Sequence, residues 1–153
     1  MSGSSLVTGA TGNVGWELVQ ILHRENHPVR AAALGAADAE QLPHPNVPWV
    51  RFDFGDLDTY ATTFASVDRL FLMRPPAISD VDRYMRPVVD CAGVRHIVFL
   101  SLLGADKNSL VPHAQVQRLL RESGTPFTFL RAGFFMQNLS TTHAAEIQLP
   151  QQR

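Results

Sequence analysis

The chain is poor in the residue types that mark several classes of protein. It contains one cysteine among 153 residues, Cys91, so it cannot form an internal disulfide, a usage typical of reducing compartments. One lysine, Lys107, accompanies twelve arginines, and no run of basic residues occurs. The formal net charge of −1 gives no electrostatic reason to bind nucleic acid or an anionic membrane. We therefore expect neither as a partner.

Long hydrophobic segments are missing as well. No stretch approaches the roughly 20 apolar residues that span a bilayer, and the first residues lack the pattern of a signal peptide. These features predict a cytoplasmic protein. Hydrophobic residues at 45% and charged residues at 18% are ordinary for a soluble domain, and 153 residues suffice for one domain with a core.

Three catalytic signatures are absent. The only tyrosines are Tyr60 and Tyr84, and neither stands four residues before the single lysine, so a Tyr-x-x-x-Lys pair cannot form. The histidines and the cysteine show no metal-ligand spacing, and we expect no metal site. No Gly-x-Ser-x-Gly elbow supports serine-hydrolase chemistry.

What the chain does contain is a glycine-rich turn near its start, L-V-T-G-A-T-G-N-V-G over residues 6–15. An apolar strand pattern precedes it and a helix pattern follows, the context in which such glycines bind a dinucleotide. Gly9 would allow the tight turn, Gly12 the approach of a pyrophosphate, and Gly15 close packing of the helix on the sheet. The N–H groups of Gly12, Asn13 and Val14 would face the phosphates. The alternative is an ordinary glycine-rich connection.

Strand and helix patterns alternate six times along the chain. After the first strand, the apolar spacing predicts strands over residues 29–34, 47–54, 67–73, 96–103 and 127–130. Helices are predicted over residues 13–24, 36–42, 57–66, 79–92 and 113–123. This alternation predicts an α/β fold with a doubly wound parallel sheet, helices on both faces, and a ligand crevice at the carboxyl ends of the strands.

Local signals mark some helix ends. Asp56 is expected to cap the third helix, and Ser79 with Asp82 forms a capping-box pattern for the fourth. Pro87 should kink or split that fourth helix.

Four side chains at the expected crevice are candidates for the site, each with an alternative. Asp53 could accept a hydrogen bond from adenine, or only form a turn beside Gly55. Arg74 could approach the cofactor or an acidic substrate, or be a solvated surface arginine. Ser101 could face the reacting group or the nicotinamide ribose, or be a small packing residue. His113 could point back to the crevice, or be an exposed histidine at a helix start.

The choice between NAD and NADP stays open at this stage. An acidic residue after the second strand would favour NAD, and an arginine there would favour NADP. The chain has Leu34-Gly35 at that position, with Arg30 farther back in the strand and Asp38 beyond the turn.

Three segments resemble the NmrA-like family, atypical members of the short-chain dehydrogenase/reductase superfamily. They are residues 7–15 (V-T-G-A-T-G-N-V-G), 92–101 (A-G-V-R-H-I-V-F-L-S) and 123–131 (S-G-T-P-F-T-F-L-R). The resemblance implies an NAD(P)-binding Rossmann domain over residues 1–138. Some members reduce quinone-like or other small apolar substrates, and others sense the cofactor without turnover.

The resemblance also implies roles for particular residues. The pyrophosphate would be held by Gly9, Thr11, Gly12, Asn13 and Val14. Asp53 and Phe54 would border the adenine, while Met73 and Arg74 would lie along the ribose side. His113 stands near the position where relatives place a lysine or histidine close to the nicotinamide. The proposed catalytic residues are His113 and Ser101, the latter chosen from its place at the expected crevice.

Two departures from the family pattern stand out. Relatives that bind NADP usually carry an arginine where this chain has Leu34, and the family continues into a C-terminal substrate lobe. Residues 139–153 form a polar tail, expected to be a remnant of that lobe or a link to it. Apolar surface where the lobe would dock suggests a homo-oligomer.

Two functions follow as hypotheses. One is an NAD(P)H-dependent oxidoreductase that reduces a small quinone-like or carbonyl substrate, with a proton from His113, Ser101 or solvent. The other is a non-catalytic regulator that binds the dinucleotide and has no substrate. A remnant fold without a ligand would remain if neither holds.

Overall fold

Six parallel strands form one sheet in the computed structural model, which describes residues 3–91 and 93–133. The strands are β1 Ser4–Val7, β2 Val29–Ala33, β3 Trp49–Arg51, β4 Val67–Leu72, β5 His96–Leu102 and β6 Phe127–Ala132. Their order is β3-β2-β1-β4-β5-β6. The chain leaves β1 toward one edge and later returns beside it as β4, which creates the switch point of a doubly wound fold. The predicted fold class is confirmed.

Six α-helices accompany the strands in the described parts of the chain. They are α1 Asn13–Arg24, α2 Ala36–Ala39, α3 Tyr60–Phe64, α4 Val81–Tyr84, α5 Arg86–Cys91 and α6 Pro112–Glu122. Short 3₁₀ turns at Leu57–Thr59 and Ala105–Lys107 precede α3 and α6. None of these helices combines the length and apolar character that a bilayer crossing requires.

Alternate residues of the strands pack into two separate cores on the two faces of the sheet. On one face, Leu6, Leu70 and Phe99 are fully buried together with side chains of α3 to α6. On the other face, Val7 and Phe71 pack with α1. Burial of each such side chain contributes about 2 kcal/mol, so packing on both faces stabilises the sheet.

The third strand is shorter than the predicted range of residues 47–54. The Pro48 carbonyl accepts a hydrogen bond from the Ala31 N–H at 2.9 Å, but proline cannot donate one in return. At the other end the Asp53 carboxylate accepts from the Gly55 N–H at 2.8 Å, which turns the chain out of the sheet. Only Trp49–Arg51 remains as strand.

Two helix predictions were correct in part. Asp56 caps the 3₁₀ turn Leu57–Thr59, where its carboxylate accepts from the Asp58 N–H at 3.2 Å, while α3 itself begins only at Tyr60. The capping box at Ser79 is wrong: Asp80 accepts from the Arg83 N–H at 3.0 Å and begins α4 one residue later. Pro87 splits the segment into α4 and α5 as predicted. The last residue of the predicted fourth helix, residue 92, and the tail over residues 139–153 lie outside the described residues.

Candidate functional site

The glycine turn connects β1 to α1 at the switch point of the sheet. Gly9 has a positive φ of 64°, a conformation that side chains disfavour. Its carbonyl accepts a hydrogen bond from the Gly12 N–H at 3.0 Å. A Cβ on Gly15 would lie 2.1 Å from the same carbonyl oxygen, so only glycine permits α1 to pass this close. The turn is therefore closed tightly on the first turn of α1.

The N-terminus of α1 is open toward the carboxyl edge of the sheet. Gly12 is the N-cap residue and provides no side-chain cap, and no acidic residue occupies the first helical turn. The N–H groups of the first turn and the positive end of the helix dipole can therefore receive an anion. A Cβ on Gly12 would meet the Gly9 oxygen only at 3.4 Å. The chain thus needs glycine at position 15 for its own packing, whereas glycine at position 12 leaves the backbone accessible to a ligand.

Thr8 fixes the position of this turn relative to β4, a role that the sequence pattern did not indicate. Its hydroxyl is buried, donates to the Phe71 carbonyl at 3.1 Å and accepts from the Met73 N–H at 2.8 Å. The end of β1 and the end of β4 are therefore tied together across the switch point. The sequence does contain a signal for this role, because Thr8 is a polar residue that directly follows the apolar residues Leu6 and Val7.

Asp38 is the second residue whose structural role the sequence pattern did not indicate. One carboxylate oxygen accepts from the Leu34 N–H at 2.9 Å, and the other accepts from the Thr11 hydroxyl at 3.1 Å. The short helix α2 folds Asp38 back, so the residue that was predicted to lie beyond the turn stands between the end of β2 and the glycine turn.

Asp53 and Phe54 follow β3 at the same edge. One oxygen of Asp53 holds the turn to Gly55, which is the turn-forming alternative. The Phe54 ring packs edge-on against Phe52 with centroids 4.8 Å apart. The Phe54 carbonyl accepts from the Tyr60 hydroxyl at 3.1 Å, and burial raises the pKa of that tyrosine to about 12. Tyr60 is therefore a structural donor and a poor acid.

Met73 and Arg74 follow β4 and lie beside the glycine turn. The Met73 side chain packs over Gly9, where an added Cβ would meet its sulfur at 3.1 Å. Arg74 is half-buried, and its guanidinium donates to the carbonyls of Pro75, Pro76 and Ile78. Burial lowers its pKa. The Arg74 side chain thus holds the following loop through its carbonyls, which disfavours the alternative of a freely solvated arginine.

Ser101 is the penultimate residue of β5. Its side chain is fully buried, and its hydroxyl oxygen accepts from the Gln117 amide at 2.7 Å. The Gln117 carbonyl oxygen accepts in turn from Arg121 and Arg131, each at 3.3 Å. This network ties α6 to β5 and β6, an environment that favours the packing alternative for Ser101.

His113 opens α6 and packs on β5, with its ring centroid 5.9 Å from that of Phe99. Burial, reinforced by the nearby positive charge of Arg74, lowers the pKa of His113 to about 4. The charge of Arg74 thus acts on His113, which opens the helix that follows β5. The lowered pKa leaves the imidazole uncharged at neutral pH, able to donate or accept one hydrogen bond.

Comparison with known proteins agrees with this architecture. The NmrA-like family matches residues 1–152. The NAD(P)H azoreductase of Xenophilus azovorans is 32% identical over 140 residues, which cover 88% of this chain and 49% of that protein. Among solved structures, the NADPH-dependent quinone oxidoreductase of Escherichia coli complexed with NADPH is 27% identical with a TM-score of 0.78. That similarity covers 92% of this chain and 53% of the other.

A third similarity concerns the fold alone. The triphenylmethane reductase of Citrobacter sp., complexed with NADP(H), has a TM-score of 0.80 at 24% identity and covers 94% of this chain and 54% of that one. The chain spans about half the length of the curated relatives that it matches. The family match over nearly all residues, together with the glycine turn at the switch point, confirms the resemblance, and the chain belongs to the NmrA-like family.

Proposed function

We propose that the protein binds a nicotinamide dinucleotide and uses it to reduce a small quinone-like or carbonyl substrate. The observation that carries the proposal is the uncapped N-terminus of α1 behind Gly9, Gly12 and Gly15 at the switch point of the sheet. The first helical turn carries no carboxylate that would compete for the phosphates. The names of the relatives, an NAD(P)H azoreductase and an NADPH-dependent quinone oxidoreductase, support the same chemistry.

The glycine turn would bind the pyrophosphate through the backbone N–H groups of Asn13 and Val14, with Gly9, Thr11 and Gly12 shaping the turn. The Gly12 N–H, which the sequence pattern assigned to the phosphates, already donates to the Gly9 carbonyl. The contribution of Asn13 and Val14 is binding strength and orientation, because charge-assisted hydrogen bonds to backbone N–H groups are about twice as strong as neutral ones. Thr8 supports this arrangement by hydrogen bonds that hold the end of β4 against the turn.

The residues after β3 and β4 would bind the remaining parts of the cofactor. Asp53 and Phe54 would border the adenine, and Met73 with Arg74 would lie along the ribose side. Asp53 uses one carboxylate oxygen for the Gly55 N–H, and the second oxygen has acceptor capacity for an adenine amino group. The Arg74 guanidinium is fixed by loop carbonyls, which holds its charge in place.

When bound, the nicotinamide would supply the hydride, and the protein would orient the reactants and exclude water. His113 would position the substrate as a neutral hydrogen-bonding group, because its pKa of about 4 makes it a poor proton source at neutral pH. The proton would then come from solvent. We assign no reacting role to Ser101, whose hydroxyl is engaged by Gln117.

The test measures binding and turnover in parallel. Binding of NADH and NADPH to the purified protein is followed by calorimetry, and oxidation of each is followed by absorbance with panels of quinones and aldehydes. We expect saturable binding and quinone-dependent oxidation that are both weakened by Gly12→Val, since a β-branched side chain would occupy the place of the pyrophosphate. Binding without turnover on any substrate would contradict the enzyme and favour a dinucleotide sensor. Absence of binding would contradict both.

A further inference from the structure

The Asp38 carboxylate stands at the place that decides cofactor choice in this class of fold. It joins the Leu34 N–H, directly after β2, to the Thr11 hydroxyl in the glycine turn, at 2.9 and 3.1 Å. In Rossmann domains the group after the second strand faces the adenosine ribose, where an acidic side chain accepts a hydrogen bond from the 2′-hydroxyl. A carboxylate offers about four acceptor positions, and these two contacts use two of them. Asp38 thus retains acceptor capacity for a ligand.

Cations that could neutralise a 2′-phosphate are lacking in the same segment. Residues 31–50 contain no lysine and no arginine, while Asp38 and Glu40 are acidic. Arg30, the cation before this segment, donates to the Thr63 and Ala65 carbonyls at 2.9 and 2.7 Å, near the amino edge of the sheet.

The cation that follows the segment is also engaged. Arg51 forms an ion pair with Asp56 at 3.1 Å. Arg74, which we place along the ribose side, donates to the carbonyls of Pro75, Pro76 and Ile78. A 2′-phosphate next to the Asp38 carboxylate would therefore lack the arginine after the second strand that NADP-binding sites of this fold use.

We propose that Asp38 makes this site select NAD(H) over NADP(H). The inference rests on the proposed dinucleotide binding and names the residue that sets its specificity. The carboxylate binds the 2′-hydroxyl of NADH and repels the phosphate of NADPH. The chain differs in this respect from its relatives whose structures are named as complexes with NADPH or NADP(H).

The test is equilibrium binding of NADH and NADPH to the wild-type protein and to Asp38→Asn, with Glu40→Gln as the matched control. Glu40→Gln removes the same charge two residues away on an exposed side chain. Wild type should bind NADH at least about tenfold more tightly than NADPH. Asp38→Asn should reduce that ratio about tenfold or more, whereas Glu40→Gln should leave it within about twofold of wild type.

Ionic strength provides a second readout that a merely structural role would not change. Because salt screens repulsion between partly exposed charges, the NADH preference of wild type should narrow from low to high salt, and that of Asp38→Asn should not. Displacement of bound NADH by ADP and by 2′,5′-ADP locates the effect at the adenosine ribose. On the wild type, ADP should displace NADH at a lower concentration than 2′,5′-ADP does. On Asp38→Asn, the two competitors should be equally effective.

The outcomes separate this inference from the proposed function. Tighter binding of NADPH than of NADH by wild type would overturn the inference alone and leave dinucleotide binding intact. If Asp38→Asn weakens the binding of NADH and NADPH equally, so that the ratio of their affinities is unchanged, Asp38 only holds Thr11 in position. That result would also overturn the inference. If wild type binds neither cofactor, the proposed function fails and the inference fails with it. The wild-type ratio decides the matter even if a variant does not fold.

Discussion

Adding one methyl group at Gly12 or at Gly15 should separate the glycine that binds a ligand from the glycine that maintains the fold. A Cβ on Gly15 would lie 2.1 Å from the Gly9 carbonyl oxygen and 2.9 Å from the Ala10 Cα. Both contacts are with backbone, so the turn or α1 must move. Overpacking of this kind costs about 1–3 kcal/mol, which lowers the melting temperature of a chain this size by roughly 2–12 °C.

Gly12→Ala should leave the fold nearly unchanged. The added Cβ meets the Gly9 oxygen at an ordinary 3.4 Å, and the φ of −86° suits any residue. Restricting the unfolded chain stabilises by about 0.4–1 kcal/mol, while alanine is a poorer N-cap than glycine by about 0.5–1 kcal/mol. These terms oppose each other, so the free energy of unfolding should change by less than about 0.5 kcal/mol.

Dinucleotide binding should respond in the opposite way. The Gly12→Ala methyl would lie where we propose that the pyrophosphate approaches the backbone. Loss of one charge-assisted hydrogen bond, worth about 1.5–3 kcal/mol, weakens binding by roughly 10- to 100-fold. The assay is thermal and chemical denaturation of both variants, with calorimetric titration of cofactor into each folded protein. Normal stability of Gly15→Ala, or unweakened binding by folded Gly12→Ala, would refute this division of roles.

Three further predictions concern the residues around the turn. Thr8→Val should lower the free energy of unfolding by about 1–3 kcal/mol, because the Met73 N–H loses its buried acceptor; Thr8→Ser, which keeps the hydroxyl, should lose less in the same urea titration. The free energy of unfolding should fall by about 1 kcal/mol, allowing for solvent screening, as the pH drops from 6.5 to about 4. In that range His113 binds a proton in the unfolded chain but not in the native protein, where its pKa is about 4. The same pH series on His113→Gln should lack this contribution. Ser101→Ala should lower the free energy of unfolding by about 1–3 kcal/mol, because the buried Gln117 amide loses its acceptor. If stability is unchanged and the turnover rate falls by about two orders of magnitude or more, Ser101 takes part in catalysis instead.

The order of elements could be predicted from the sequence because each signal is local. The apolar runs of β4 and β5, the glycine turn and the split at Pro87 each reflect the preferences of neighbouring residues. The limits of β3 could not be predicted. They depend on how Pro48 pairs with β2, to which it offers a carbonyl but no N–H, and on the turn that Asp53 makes with Gly55.

The site was predictable only as far as its backbone. The spacing of Gly9, Gly12 and Gly15 indicates where a phosphate can approach, because that property belongs to the turn itself. The position of Asp38 depends on the fold of α2, which brings its carboxylate back to Thr11 across 27 residues of chain. Likewise, the orientation of Ser101 toward Gln117 follows from the face that β5 presents to α6, which strand pattern alone leaves undetermined.

The central claim is that the glycine turn and the open end of α1 bind a nicotinamide dinucleotide. Calorimetric titration of NADH into wild-type protein and into Gly12→Ala tests it most directly. The account predicts one saturable site in the wild type and binding roughly 10- to 100-fold weaker in a variant of equal stability. Binding of equal strength in the two folded proteins, or no binding to the wild type, would contradict it.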